Sequence, residues 1–258
     1  MLIETSVKNQ IGTITLNDRK TLNSLSSSLI KELLDALEDF RDEGIRVVIL
    51  RALSGTKTWS AGHNVGELPK NGRDPLTYND PLRVVVRKIQ EYPAPVVAMI
   101  EGGVWGGACE LAMACDMVIA AENATFAMTP ARLGVPYNLG GIQNMLGSVP
   151  LVVVKEMLFR ATPISAQRAY EVGIANYVVP VEQLEAKTFE LAQDMLANSS
   201  LVITLLKEEI HVLVRAQPLS VETFERIQGV RRRIYDSEDY QEGIRSFFEK
   251  RKPVFQGK

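Results

Sequence analysis

The stretch from Pro95 to Ala121 reads PVVAMIEGGVWGGACELAMACDMVIAA and parses as strand, glycine-rich turn, helix and second strand. Val96 to Ile100 is a short apolar run with β-branched residues, as a strand buried on both faces requires. Gly102, Gly103, Gly106 and Gly107 follow. Lacking Cβ atoms, they let a ligand reach the backbone just ahead of a helix whose first N–H groups carry partial positive charge. A turn of this kind can hold a negatively charged oxygen. Two other readings stand beside it. A Rossmann cofactor turn needs G-x-G-x-x-G, which the spacing does not provide. Close packing without any ligand stays open.

Outward from that segment, strands and helices alternate. Leu2 to Val7 and Ile11 to Leu16 flank Lys8-Asn9-Gln10 as a hairpin. Over Ser28 to Phe40, Leu29, Leu33 and Leu37 share a face with Ile30, Leu34 and Phe40. Lys31, Glu32, Asp35, Glu38 and Asp39 take the other face, which predicts an amphipathic helix lying on a sheet. Gly44 ends it, and Ile45 to Leu50 supplies another buried strand. Ser54 to Asp80 is long and irregular, broken by Gly55, Gly62, Gly66, Pro69, Gly72 and Pro75; loops of that length in compact domains are functional or mobile. Pro81 to Tyr92 returns to helical spacing. Past Ala121 the chain reads as helices at Ile142–Leu146, Leu151–Arg160, Ser165–Val172, Val181–Ala197, Leu201–Val214, Ser220–Asp236 and Tyr240–Lys250. One late strand is expected at Ile174–Val179. Ser165 and Ser220 suit N-caps, and Pro218 follows a helix end. Leu201–Val214 is apolar on more than one side, so it should bury a second surface against another subunit.

Composition narrows the function. The 258 residues are 46% hydrophobic with a net charge of -2. That suffices for a full core, as one large domain or two small ones, and offers no basic surface for nucleic acid. No apolar run is long enough to span a membrane, and MLIETSVKNQIG lacks the features of a secretory signal, so no membrane partner and a cytoplasmic location are expected. Cys109 and Cys115 fall on different faces of one helix and read as free, packed thiols. His63 and His211 have no Cys or His at ligand spacing, so no metal site is expected.

Two glycine-bearing turns follow buried strands: Trp59-Ser60-Ala61-Gly62-His63-Asn64 and Trp105-Gly106-Gly107-Ala108-Cys109-Glu110. If neighbouring parallel strands deliver both to one sheet edge, an N–H from each can converge on a single oxygen, an oxyanion hole built from main chain. The pair WSAGHN and WGGACE, with CD opening the next strand, resembles the crotonase superfamily of enoyl-CoA hydratases and isomerases. The similarity covers essentially the whole chain, including SAQRAYEVGIANYVV and FFEKRKPVF. SAGHNVGELP, GRDPLTYNDPLR, GGVWGGACE, MTPARLGVPYNLGGI and YDSEDYQEG are together similar to the branch of that family acting on methylmalonyl-CoA.

The resemblance implies an α/β crotonase-like fold: a spiral of ββα turns over residues 1–195, then a helical part, residues 196–258, that supports a homotrimer or a hexamer of two trimers and contacts the coenzyme A nucleotide. It implies oxyanion donors at the N–H groups of His63 and Gly107, with Ala61, Gly62, Asn64 and Val65 in the substrate site. Lys20 and Leu22, in RKTLNSLS, and Phe247 and Lys250 would flank the nucleotide. Thr129 and Tyr137 would face the acyl group with hydroxyls suited to a carboxylate, and Trp105 would form part of the wall. Hydratases of the family use two glutamates, one at the position of Glu110 and one within the segment that reads FAMTPARLGVP here, where Pro130 takes its place. There is no Asp or Glu between Glu122 and Glu156. Hydration thus lacks its second acid/base. Decarboxylation requires none for its C–C step, and the expected reaction converts methylmalonyl-CoA to propionyl-CoA without metal or organic cofactor, coenzyme A being part of the substrate.

Plainer readings accompany these. The His63 ring can be a loop histidine, Glu110 a solvated or structurally paired carboxylate where the resemblance implies a catalytic residual acid or a positioning group, Tyr137 a core aromatic, and Lys250-Arg251-Lys252 a solvated helix end. An enoyl-CoA isomerase or single-acid hydratase working through Glu110 is the alternative enzyme. A non-catalytic acyl-CoA- or RNA-binding relative is the alternative outside catalysis.

Overall fold

A computed structural model describes residues 1–68, 78–215 and 220–257, with the backbone alone for Arg215. Expectations resting on Pro69, Gly72, Pro75 and Pro218 lie outside the described residues. The hairpin forms as expected from β1 (Ile3–Lys8) and β2 (Ile11–Leu16), and Asn9 and Gln10 between them both take positive φ, 51° and 63°. Such two-residue turns match the twist of the strands they join. Ser26 caps α1 (Ser27–Asp42), which buries Leu29, Ile30, Leu33, Leu37 and Phe40. After Gly44, β3 runs Val47–Ala52, starting two residues later than the sequence pattern suggests.

The segment beyond Ala52 is less irregular than expected, for it holds β4 (Thr58–Ser60) and a 3-10 turn at Val65–Glu67. Next come α2 (Pro81–Gln90), β5 (Val96–Ile100), β6 (Gly103–Trp105), α3 (Gly107–Ala114), β7 (Met117–Ala121) and β8 (Thr125–Ala127). The strands β6 and β8 were hidden because three residues are too few to display an alternation, and glycine opens one of them. A 3-10 turn at Pro130–Leu133 leads to α4 (Leu139–Ser148), α5 (Leu151–Arg160), β9 (Ile164–Ser165), α6 (Ala166–Glu171) and β10 (Tyr177–Val179). The chain ends in α7 (Leu184–Leu196), α8 (Ser200–Arg215), α9 (Val221–Tyr235) and α10 (Glu238–Phe248).

Two sheets result. One has the order β1-β2-β3-β5-β7-β10 and is parallel except for β1; the other has the order β4-β6-β8-β9, with only β9 antiparallel. Each strand β3, β5 and β7 of the first sheet is followed directly by one of the second, β4, β6 and β8, so the chain climbs as a spiral of strand pairs. Along β3, Val48 and Leu50 enter a core shared with α1 and α2, whereas Val47 and Ile49 face Leu184 and Leu191 of α7. Burial on both faces explains the unbroken apolar run. Among the described residues no helix is long and apolar enough to cross a membrane.

Near the C-terminus, α10 rests on the 3-10 turn at Pro130–Leu133 by direct main-chain contact. A Cβ at Gly243 would stand 2.9 Å from Leu133 Cα, and one at Gly134 would lie 3.0 Å from Tyr240 Cα. The contact carries Phe247 to the mouth of the cavity described below.

Candidate active site

Strands β4 and β6 run parallel, with Thr58 opposite Gly103 and Ser60 opposite Val104. The turns beyond them therefore emerge side by side, as expected for two glycine-bearing turns on neighbouring strands. Gly62, at φ 83°, lies against the next turn so closely that a Cβ there would come 3.0 Å from the Trp105 carbonyl carbon and 3.2 Å from the Gly107 nitrogen. A Cβ on Gly107 would lie 3.4 Å from the His63 nitrogen. Neither the His63 nor the Gly107 amide meets an acceptor among the described residues. Gly107 is also the first residue of α3, where helical N–H groups are free and partly positive. Two donors so placed can serve one oxygen that gains negative charge.

Both amides border a cavity of about 290 Å³. Of the residues singled out from sequence, Ala61, His63, Asn64, Val65, Gly107, Thr129, Tyr137 and Phe247 line it. Lys20, Leu22, Trp105 and Lys250 do not. The Trp105 ring packs over Gly103, where a Cβ would lie 3.1 Å from Cε2. Residues 103 and 105 share one face of β6, and only glycine leaves room for the indole. Leu22 is exposed, but its carbonyl accepts the Ala61 amide at 2.9 Å, and Asn23 Nδ2 donates to the Trp59 carbonyl at 2.9 Å. The loop after β2 thus braces the turn after β4. Sequence reasoning missed Thr21, Leu82, Val135 and Phe248, which also line it. Phe248 was legible as the neighbour of Phe247; the others come from loops and a helix start whose convergence has no local signal.

The polar groups form two pairs. His63 lies with Nδ1 3.1 Å from the Asn64 carbonyl oxygen and Nε2 3.4 Å from Asp80 Oδ2. Burial disfavours its imidazolium, yet the hydrogen bond to Asp80, the Asp80 charge, the Asn64 carbonyl and Glu67 outweigh this and raise its pKa above 6.5. Asp80 itself caps α2 by accepting the Leu82 amide at 3.0 Å. An Asp just before Pro81 at a helix start is a readable N-cap, though nothing local shows that its second oxygen faces a histidine.

The second pair sets Tyr137 on the cavity wall with Glu110 behind it. Glu110, on α3, is 2% exposed, and the Tyr137 hydroxyl donates to its Oε2. Burial raises the Glu110 pKa, against the opposing influence of Tyr137, Arg83 and Asn144. Among the described residues no Asp or Glu lines the cavity, and Pro130 does. Cys109 and Cys115 are buried and free, and burial pushes the Cys109 thiol up to about 12.

Paired sheets climbing in a spiral, with two unpartnered amides meeting at an apolar cavity, define the crotonase class, and the chain belongs to the enoyl-CoA hydratase/isomerase family, whose model matches residues 6–258. Among particular relatives, it is 51% identical to the methylmalonyl-CoA decarboxylase of Escherichia coli K12 over 96% of this chain and 95% of that one. It is 30% identical to a probable mitochondrial enoyl-CoA hydratase of Dictyostelium discoideum, over 98% and 90%. A solved methylmalonyl-CoA decarboxylase in complex with 2-nitronate-propionyl-CoA matches with a TM-score of 0.98 at 50% identity, covering 100% of this chain and 99% of that one. A second, complexed with 2S-carboxypropyl-CoA, matches equally, at a TM-score of 0.98.

Proposed function

We propose that the chain is a carboxy-lyase converting methylmalonyl-CoA to propionyl-CoA. The observation that carries this reading is a cavity with Pro130 on its wall and no Asp or Glu among its described lining residues, beside the two amides that meet no acceptor among the described residues. Similarity to a decarboxylase at 51% identity supports the same conclusion. In the proposed step the thioester oxygen lies between the N–H groups of His63 and Gly107. Tyr137 and Thr129 hold the substrate carboxylate out of the thioester plane. The bond between that carboxylate and the α-carbon breaks, its electron pair enters the enolate, carbon dioxide leaves, and a proton added to the α-carbon completes propionyl-CoA. Each oxyanion donor is worth roughly 10²–10³ in rate, so the pair can supply on the order of 5–8 kcal/mol. Pro130, Leu133 and Val135 make the surroundings apolar, which favours loss of a neutral molecule. No metal or organic cofactor takes part.

Ala61, Gly62, Asn64 and Val65 belong in this reading to the thioester side of the site, and Phe247 to the coenzyme A side, with Lys20, Leu22 and Lys250 near the nucleotide. Residues 196–258 are read as the oligomerising part. In support, α8 leaves Leu201, Leu205, Ile210 and Leu213 exposed, an apolar face suited to a trimer or a pair of trimers. Purified protein should release carbon dioxide from methylmalonyl-CoA and hydrate crotonyl-CoA poorly. Efficient hydration without carbon dioxide release would sink the reading.

A further inference from the structure

Tyr137 has one phenolic hydrogen, and in the structure that hydrogen goes to Glu110 Oε2. The proposed function, on which the following rests, asks the same hydroxyl to hold the substrate carboxylate. An ionised carboxylate only accepts hydrogen bonds, so Glu110 and the substrate would compete for a single hydrogen while one carboxylate faced a bare lone pair. Glu110 has little freedom to withdraw. It is 2% exposed, and a Cβ on Gly141 at the start of α4 would already lie 2.9 and 3.0 Å from its two oxygens.

We infer that in the substrate complex Glu110 is a neutral carboxylic acid that donates to Tyr137 Oη, turning the phenolic hydrogen outward to the substrate carboxylate. Two hydrogen bonds then have two hydrogens. The added proton comes from solvent, and no covalent bond to carbon is involved. Glu110 is therefore a positioning residue, acting on the substrate through Tyr137.

The surrounding charges agree with this assignment. Arg83 on α2 and the N-terminus of α4 favour the ionised form, as does Asn144; Asp80, also near α2, disfavours it, and the adjacent Cys109 thiol is un-ionised. Burial is the largest influence and already raises the Glu110 pKa before substrate arrives. A second carboxylate sharing Tyr137 adds like-charge repulsion in the same direction.

The test uses the full chain with 2-carboxypropyl-CoA, a carboxylate-bearing analogue that cannot release carbon dioxide. An infrared difference spectrum between the wild-type and Glu110→Gln complexes is expected to show the carbonyl band of a protonated carboxyl, shifted in heavy water; carboxylate bands in its place overturn the inference. In turnover, kcat/KM for methylmalonyl-CoA is expected to fall about tenfold per pH unit on the alkaline side as Glu110 ionises. Glu110→Gln should lose that limb and be slowed less than Tyr137→Phe, because the amide N–H replaces the acid's O–H. An alkaline limb unmoved by the substitution overturns the inference while leaving decarboxylation intact. A wild type that binds the analogue yet releases no carbon dioxide from methylmalonyl-CoA overturns the functional reading and this inference with it.

Discussion

Asp80 joins two parts of the site with one carboxylate: Oδ2 lies 3.4 Å from His63 Nε2, while Oδ1 accepts the amide of Leu82 at 3.0 Å. The turn that presents the His63 amide is thereby tied to the first turn of α2, whose Leu82 lines the same cavity.

Asp80→Asn separates these roles, since Asn caps a helix as well as Asp. The His63 pKa is raised in the folded state, so its contribution is fully present below the unfolded value of about 6.5 and fades as pH rises through the folded value. The variant should lose about 1 kcal/mol at low pH and less at high pH. Urea unfolding at about pH 5.5 and about pH 8.5 compares the two regimes, on either side of the histidine range. An equal deficit at both would show that the ion pair contributes nothing.

Gly62 and Gly107 should respond differently to alanine. At Gly62 the positive φ and the rigid Trp105 carbonyl leave no room, and a loss of about 3 kcal/mol or more is expected. At Gly107 the new methyl would meet Leu82 Cδ2 at 2.6 Å, the movable end of a side chain, so the loss should be about 1 kcal/mol. That methyl would still lie 3.4 Å from the His63 nitrogen, and carbon dioxide release should fall at least about tenfold. Parallel melting curves and rate assays check both; a Gly62→Ala protein as stable as wild type would refute the close-approach argument.

Tyr137→Phe removes a hydrogen bond to a charged group, about 1.5–3 kcal/mol, or roughly ten- to a hundredfold in rate. Decarboxylation should drop by that factor. An unchanged kcat/KM takes Tyr137 out of the mechanism.

Lys207 secures α8 to the body of the protein. Its Nζ donates to the carbonyls of Ile89 and Ala94 at 2.9 and 3.1 Å and to Asp116 Oδ2 at 2.7 Å, with its side chain 10% exposed. Lys207→Met strands the Asp116 carboxylate and should cost about 3 kcal/mol. Burial already raises the Asp116 pKa, with Lys207 the chief opposing influence. A carboxyl whose folded pKa is raised destabilises the fold as pH rises, so the deficit should shrink on acidification, and Asp116→Asn in the same chain should restore part of it. Denaturation of the three variants across pH measures this; no recovery in the double variant would argue against the pairing.

Much of the architecture was local enough to read from the sequence. The span of α5, the buried strand β5 and the caps Ser165 and Ser220 follow from periodicity and capping chemistry that neighbouring residues supply. WSAGHN and WGGACE announced two close-packed turns, because Gly62 and the glycines around Trp105 have no other reason to cluster there. The sequence by itself also determined the absence of a carboxylate between Glu122 and Glu156, and with it the kind of chemistry the cavity can support. Only the tertiary structure decided that β4 and β6 make a separate sheet, that Trp105 folds over Gly103, that Asp80 meets His63, and that Tyr137 shares a hydrogen with Glu110. Those pairings bring together residues distant in the chain, and three-residue strands and buried polar contacts derive their stability from the partner across the gap, which no local pattern encodes.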